Sequence, residues 1–177
     1  MKKYEFTGET KEIRLLFRTA TLHRIRATVA FGIVEVGDLG GWIEKEENLS
    51  HEGKAWVWGN AEVWGNAKVC GDAKVWGNAE VWGNAEVCGD AKVFSASHVL
   101  VIGAIGSRND FTTFYRDKDN EITVKCGCFL GKIDRFLEKV TQTHGDSKYA
   151  LVYRAAVEVA KLQIDLSGEA PKDADEE

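Results

Sequence analysis

A six-residue repeat occupies the middle of the chain. Residues 57–94 read VWGNAEVWGNAKVCGDAKVWGNAEVWGNAEVCGDAKVF, in which the hexad Ala-x-Val-(Trp or Cys)-Gly-(Asn or Asp) recurs without interruption. Glycine keeps this phase from Gly53 to Gly89. A fixed short period is typical of stacked-repeat architectures. Six residues are too few for a unit that contains a helix, so we expect each hexad to form one short strand and a corner.

The direction of each side chain in the hexad follows from strand geometry. Residues two apart in a strand face the same side, so Ala61 and Val63 and their equivalents are expected to point inward. The residue between them, here Glu62, then faces water. Gly-Asn and Gly-Asp suit the corner because both residue types tolerate positive φ.

The fourth position of the hexad indicates how many hexads complete one turn of the stacked structure. It reads Trp, Trp, Cys and then repeats after 18 residues, and Asp72 and Asp90 keep the same phase. The pattern predicts a triangular parallel β-helix in which residues 18 apart stack at about 4.8 Å. The expected columns are Trp58, Trp76 and Phe94; Trp64 and Trp82; and Cys70 and Cys88.

The register extends over residues 49–105, which corresponds to about three coils. An aliphatic residue at the Val position and a small one at the Ala position are similar to the pattern of the hexapeptide-repeat, left-handed parallel β-helix family. The left hand is implied by this resemblance alone. The resemblance is specific for fold and says little about function.

The segments on either side of the repeat have other patterns. Residues 1–48 alternate like strands and are predicted to form an N-terminal β cap, because an open β-helix end exposes unpaired backbone. In residues 106–164, FTTFYR and EITVKC indicate a hairpin, and the apolar spacing i, i+3, i+4, i+7 from Ile133 indicates the first of two helices. Residues 165–177 are predicted to be a disordered acidic tail. The predicted fold class is therefore mainly β: a three-coil β-helix, an N-terminal β cap and a small C-terminal α+β unit.

Several strings outside the hexads carry a second resemblance. The string RIRA…GDLGGWIEKEENLSHEG, followed by G-N-A-x-V repeats, resembles uncharacterised repeat proteins of bacteriophages and gut bacteria. GSRNDFTTFY and CGCFLGKIDRF resemble the C-terminal unit of the same proteins.

Charge and composition exclude some classes of function. The net charge of −5 equals the charge of residues 165–177, which hold six acids and one lysine, so the rest of the chain is neutral. Without a basic patch, bulk nucleic acid is not expected as a partner. No run of about 18 apolar residues exists, so no membrane span is expected. A cytoplasmic location is predicted, in the host cytoplasm if a phage encodes the chain, with all four cysteines as reduced thiols.

The resemblance to the hexapeptide-repeat family implies one candidate enzyme activity, acyl transfer. Many hexapeptide-repeat proteins are trimeric acyltransferases that use acyl-CoA and a histidine as general base. His98, at the end of the repeat, is the candidate base, whereas His51 falls at an inward position and suits a structural role. No nucleophile–base pair or phosphate loop occurs, so we predict no catalytic residue and no cofactor. The acyl-CoA-dependent acyltransferase remains the alternative.

A metal site is not predicted. Cys126-x-Cys128 is a lone C-x-C without a second pair at zinc-binding spacing. Cys70 and Cys88 form a stacked pair without a nearby histidine.

The aromatic columns suggest self-association. Large aromatic side chains on two corners would expose an apolar patch, which usually marks an interface. We therefore predict a homo-oligomer, with a trimer favoured. Stacking of the rings on sugars or nucleobases, and simple cover by the chain itself, are the alternatives. The predicted interface residues are Trp58, Trp64, Trp76, Trp82 and Phe94.

A glycine-containing turn at residues 106–109 is the best candidate for a small-ligand site. Its backbone N–H groups and the adjacent Arg108 could hold a phosphate or carboxylate, and Tyr115 or His144 could add a stacking face or a donor. The alternative is a plain turn with Arg108 paired to Asp110. The predicted ligand-binding residues are Arg108, Asn109, Thr112, Thr113 and Lys125.

The predicted function is that of a non-catalytic, oligomeric binding protein. The resemblance to phage proteins suggests a counter-defence role, in which the protein sequesters a nucleotide signal or blocks a host defence protein. A structural or scaffold phage protein is a further alternative.

Overall fold

The computed structural model describes residues 2–168 of the 177-residue chain. Within this range the chain forms fourteen strands and two α-helices. Residues 169–177, which make up most of the predicted acidic tail, lie outside the described residues.

The N-terminal segment forms a long hairpin and one further strand. The antiparallel strands β1 and β2 pair from Tyr4–Ala27 to Arg14–Thr19, and β2 also pairs antiparallel with β3. A 3-10 turn at Glu46–Asn48 follows. The bounds are β1 Tyr4–Arg14, β2 Thr19–Ala27 and β3 Leu39–Ile43.

Each hexad forms a strand of two residues. The bounds are β4 Trp56–Val57, β5 Glu62–Val63, β6 Lys68–Val69, β7 Lys74–Val75, β8 Glu80–Val81, β9 Glu86–Val87 and β10 Lys92–Val93. Each paired strand lies parallel to the strand 18 residues away, as in the register Glu62–Glu80 and Val63–Val81. The prediction that residues 18 apart are neighbours is therefore confirmed. The Ala and Val positions of the hexads are buried, as the strand period predicted.

The predicted fold class, a triangular left-handed parallel β-helix of about three coils, is wrong, and so is the description of the chain as a β-helix protein. The chain forms four separate small sheets, in the orders β1-β2-β3-β5-β8, β10-β7-β4, β6-β9 and β11-β12-β13-β14. The repeat strands are divided among three of these sheets. The first sheet is mixed, because the antiparallel strands of the predicted cap continue into the repeat through β3, which pairs in parallel with β5. The hexad period specifies neighbours 18 residues apart, but it does not specify how many strands a sheet contains or which flanking strand joins it.

The C-terminal segment forms an antiparallel sheet and two helices. The bounds are β11 Val99–Ile105, β12 Asp110–Arg116, β13 Ile122–Cys126, β14 Phe129–Lys132, α1 Ile133–His144 and α2 Lys148–Gln163. The predicted hairpin is confirmed as β12 and β13, and the predicted spacing in α1 buries Ile133, Phe136 and Val140. The predicted boundary after residue 105 falls at the end of β11, which pairs with β12. Neither helix in residues 2–168 is both long and apolar enough to cross a membrane.

The C-terminal sheet packs directly on the last repeats. The Tyr115 hydroxyl donates to the carbonyl oxygen of Cys88 at 2.9 Å, and the backbone N–H of Glu86 donates to Thr113 Oγ1 at 3.0 Å. Burial raises the pKa of Tyr115, which keeps the hydroxyl protonated as a donor. Alternate residues of β12 therefore hold the repeat strand β9.

The beginning of the predicted acidic tail is held against the body. Arg116 is fully buried, and its guanidinium donates to the carbonyl oxygens of Ser167 and Gly168 at 2.9 and 2.7 Å. The backbone N–H of Asp165 donates to Ser97 O at 3.2 Å. Residues 165–168 therefore lie against the body, where Ser167 and Gly168 supply acceptors to the buried guanidinium in addition to Asn120 Oδ1, which accepts from Arg116 Nε at 2.7 Å.

Two of the four cysteines form a disulfide. Cys70 and Cys88, 18 residues apart in the chain, have their Cα atoms 4.6 Å apart and are bonded to each other. Cys126 and Cys128 are free. The prediction of four reduced thiols is wrong because stacking at the strand spacing brings like residues within bonding distance.

The close approach of successive corners generates a testable prediction. Gly53 and Gly83 both have φ near 70°, but a Cβ on Gly53 would collide with Gly71 O, whereas a Cβ on Gly83 would meet nothing within 4 Å. Gly83→Ala should cost about 1–2 kcal/mol for its left-handed conformation. Gly53→Ala should cost at least twice as much, because Gly71 O also accepts from the backbone N–H groups of Lys54 and Ala55. Urea unfolding of both variants measures the difference, and equal losses would contradict the close approach.

Candidate functional site

A groove of about 650 Å³ lies between the repeats and the C-terminal sheet. We call it the Arg108 groove. Its repeat side is formed by Asn66, Lys68 and Asn84, and its opposite side by Arg108, Thr113 and Lys125. The volume is typical of cavities that bind small ligands.

Three of the five predicted ligand-binding residues line this groove. Thr113 and Lys125 are directly opposite each other on β12 and β13, so their side chains share one face of the sheet. Arg108 lies in the turn between β11 and β12 and reaches the same groove. The predicted hairpin pairing was sufficient to bring Thr113 and Lys125 together, whereas Arg108 reaches them from outside the hairpin.

The backbone of Gly127 positions the Arg108 guanidinium. A Cβ on Gly127 would lie 3.1 Å from Arg108 Cζ, so the guanidinium lies directly over this glycine. Gly127 itself has a φ of 57°, in the tight turn that joins β13 to β14. The alternative of a plain turn with Arg108 paired to Asp110 is not observed, since Arg108 has no ion pair with a described residue.

The other two predicted ligand residues do not line the groove. Thr112 is buried on the opposite face of β12, where its hydroxyl donates to Cys126 Sγ at 3.3 Å. Asn109 has a left-handed φ of 50°, and its N–H donates to Gly106 O at 3.3 Å, so it shapes the turn. Adjacent strand residues face opposite sides, which is why Thr112 and Thr113 cannot both face one ligand.

The two further candidates for a stacking face lie elsewhere. Tyr115 is fully buried against the repeat. His144 lies on the helical side of the sheet, where its ring stacks on Tyr153 at 5.8 Å and its Nε2 is 3.4 Å from Ser107 Oγ.

Several residues of the groove were not predicted from the sequence. They are Lys45, Asn66, Lys68, Asn84 and Phe111. The stacking of Asn66 on Asn84 could have been predicted, because the two residues occupy the same corner position 18 residues apart. In the structure, Asn66 Nδ2 donates to Asn84 Oδ1 at 3.2 Å. No sequence signal indicated that this corner faces β12.

The positive charge of the groove is only partly neutralised by ion pairs. The four basic side chains that line it are Lys45, Lys68, Arg108 and Lys125, and the three acidic ones are Glu47, Glu86 and Asp110. Lys125 pairs with Glu86 at 3.2 Å and also donates to Gly127 O. Among the described residues, Lys68 and Arg108 have no ionic partner. The arrangement can therefore hold an anion between two sides of the groove.

The predicted interface residues are placed in different environments. Trp58 stacks on Trp76 at 5.3 Å, and Trp64 stacks on Trp82 at the same centroid distance, which confirms the predicted tryptophan pairs. Trp76 is only 8% exposed, whereas Trp82 is 54% exposed. Phe94 is covered by its own chain, since the His98 ring lies 4.2 Å away and the Arg116 guanidinium lies 4.7 Å above it.

The two histidines of the repeat region hold the backbone in place. His98 is 2% exposed, and its Nδ1 accepts the N–H of Phe94 at 3.3 Å. His51 Nδ1 accepts the N–H of Lys3 at 3.1 Å, and its ring stacks on Tyr4. A general base must reach its substrate, so the position of His98 does not favour the acyltransferase alternative.

The described residues do not assemble a metal-binding cluster. No group of three or more His, Cys, Asp or Glu side chains with metal-binding geometry occurs in residues 2–168.

Comparison with known proteins assigns no family to the chain. No protein-family model matches it, and no curated protein sequence matches it either. The functional conclusion therefore depends on the residues of the groove.

The burial of His98 generates a prediction about pH. Burial lowers the pKa of His98, and the nearby Arg116 charge lowers it further. The unfolded chain, with a histidine pKa near 6.5, then binds the proton more readily than the folded chain, so stability is lost as the pH falls below about 6.5. His98→Asn keeps an acceptor for the Phe94 N–H and should reduce this loss. Urea unfolding at pH 7.5 and pH 5 measures it.

A parallel measurement on His51→Asn gives the second contribution, because burial also lowers the pKa of His51 and its protonation destabilises the fold in the same pH range. An unchanged loss of stability in His98→Asn would show that the buried ring is not the group that resists protonation.

Proposed function

We propose that this chain is a non-catalytic binding protein that holds a nucleotide-type anion in the Arg108 groove. The observation that carries the proposal is that Arg108 and Lys68, from opposite sides of one groove, both lack an ionic partner among the described residues. Cationic groups that converge without a partner suit a phosphate or pyrophosphate. Arg108 adds geometric selectivity, because a guanidinium binds two phosphate oxygens at once.

The chemistry of the lining supports binding of an anion. The basic side chains supply positive charge, and Asn66, Asn84 and Thr113 supply hydrogen bonds. Of the acidic side chains, Glu86 is neutralised by Lys125 at 3.2 Å. Within the described part of the chain, no His, Cys or Ser lines the groove, which supports retention of an intact ligand.

Sequestration of a nucleotide signal is the biological role that we propose for this binding. A protein that holds a signalling nucleotide without consuming it lowers its free concentration, which would counter a host defence that depends on that signal. The resemblance of the chain to phage-associated repeat proteins supports this setting. Blocking of a host protein is the outcome to be considered if no nucleotide binds.

Self-association is proposed as the second property of the protein, with a trimer favoured. Its support is the exposure of large apolar side chains: Leu16 and Phe17 at the tip of the β1–β2 hairpin are 88% and 94% exposed. These two adjacent side chains offer apolar surface that a second copy of the chain would cover on association.

Light scattering tests the proposed assembly. A closed trimer should give a mass of about three times the 19.6 kDa of the chain at all concentrations. A monomeric mass would contradict self-association, and a mass that grows with concentration would favour the scaffold alternative.

The groove generates a prediction for ligand binding. Arg108→Ala should weaken the binding of the best ligand from a panel of cyclic nucleotides and ADP-ribose by about 10- to 100-fold, because hydrogen bonds to charged groups contribute about 1.5–3 kcal/mol. Isothermal titration calorimetry measures the affinity. Arg135→Ala is the matched control, since this arginine on α1 is 78% exposed and is not among the lining residues. The absence of heat from every nucleotide would refute the proposed function.

A further inference from the structure

One tryptophan of the repeat differs from the others in its exposure. Trp58 and Trp64 are partly covered and Trp76 is buried, but Trp82 has half of its surface in solvent. Trp82 is also the outer ring of its stack, since its inner face lies on Trp64 with an interplanar angle of 7°. Its other face is thus a flat apolar surface available to a partner.

This exposed ring lines a second groove of about 520 Å³. We call it the Trp82 groove. Its lining comes from the repeat, from β11 and from β12, and the acidic Glu80 lies at one side. The apolar residues of the lining are Trp82, Ala85, Ala96, Val99, Leu100, Val101 and Phe111. Such a lining suits an uncharged aromatic group and does not suit a phosphate.

The Trp82 groove adjoins the Arg108 groove. Both are lined by Phe111 and by Asn84, so one extended ligand can enter both. Asn84 Oδ1 accepts from Asn66, whereas the Nδ2 group of Asn84 has no partner among the described residues. The junction therefore offers a hydrogen-bond donor between a cationic subsite and an aromatic one.

We infer that the Trp82 groove is the base subsite of the ligand whose phosphate occupies the Arg108 groove. This inference rests on the proposed function and specifies the ligand class: a nucleotide with an aromatic base, as opposed to a sugar phosphate or inorganic pyrophosphate. The base stacks on Trp82, and Asn84 donates to an acceptor on the base or the sugar. Phe111, which is 38% exposed, forms the wall between the two subsites.

The assignment separates the roles of the two ends of the site. Cations bind a phosphate whatever is attached to it, whereas a stacking surface acts only on ligands with a ring. Stacking of one base on an aromatic side chain contributes about 5- to 140-fold to affinity. Loss of the Trp82 ring should therefore affect nucleotides and leave inorganic anions unaffected.

Calorimetry with ADP-ribose, 3′,5′-cyclic AMP and inorganic pyrophosphate tests this separation. Trp82→Ala should weaken the nucleotide that the wild type binds by about 5- to 140-fold, with pyrophosphate affinity unchanged. Trp82→Phe, which keeps a stacking face, should retain most of the affinity. Tyr149→Ala is the control for an exposed aromatic ring, because Tyr149 is 37% exposed and lines neither groove, and it should change neither affinity. Far-UV circular dichroism confirms that each variant is folded.

The possible failures are distinguishable. If pyrophosphate and a nucleotide bind and Trp82→Ala weakens neither, the base subsite is refuted while anion binding in the Arg108 groove stands. If none of the probes gives heat with the wild-type protein, the proposed function fails, and the base subsite fails with it. If Trp82→Ala lowers the mass measured by light scattering without changing nucleotide affinity, Trp82 belongs to a contact between copies of the chain and the inference is overturned.

Discussion

Backbone pairing between residues 18 apart is the constraint on which the rest of the structure depends. The N–H of Trp56 donates to Ala73 O at 3.0 Å, and the N–H of Lys74 donates to Ala91 O at 2.9 Å, one layer further along. Because the pairing is parallel and in register, each hexad position must stack on its own equivalent. Tryptophan therefore meets tryptophan, the corner asparagines bond to each other, and two cysteines come close enough to form a disulfide.

The end of this stack determines where the candidate site lies. The last repeat strands need hydrogen-bond partners, and β12 supplies them through side chains: Tyr115 bonds the backbone of Cys88, and Thr113 bonds that of Glu86. Because these contacts run through side chains, the sheet and the repeat lie further apart than two strands joined by backbone hydrogen bonds. A space therefore remains beside the contact. Arg108 and Lys125 from the sheet and the corner asparagines from the repeat border that space, and no single segment contains the complete site.

The sequence predicted part of this site for a clear physical reason. The pairing of β12 with β13 is local, since a short turn joins two alternating strands, and it placed Thr113 opposite Lys125. The same alternation should have separated Thr112 from Thr113, because neighbouring strand residues face opposite sides. Phe111 lies two residues before Thr113 on β12, so the same alternation could have placed it in the groove. Lys68 was missed because its proximity to Arg108 depends on how two distant segments pack, and periodicity carries no information about that packing.

The sequence by itself determined that each hexad forms one short strand, that its Ala and Val positions face inward, that residues 18 apart stack and that two helices follow. All of these features follow from local period and side-chain direction. Only the tertiary structure decided that the strands belong to four sheets and that β3 joins the repeat. It alone showed that Arg116 holds residues 167 and 168 and that Trp82 remains uncovered. These features depend on contacts between segments far apart in the chain, where burial and hydrogen-bond satisfaction, not periodicity, select the arrangement.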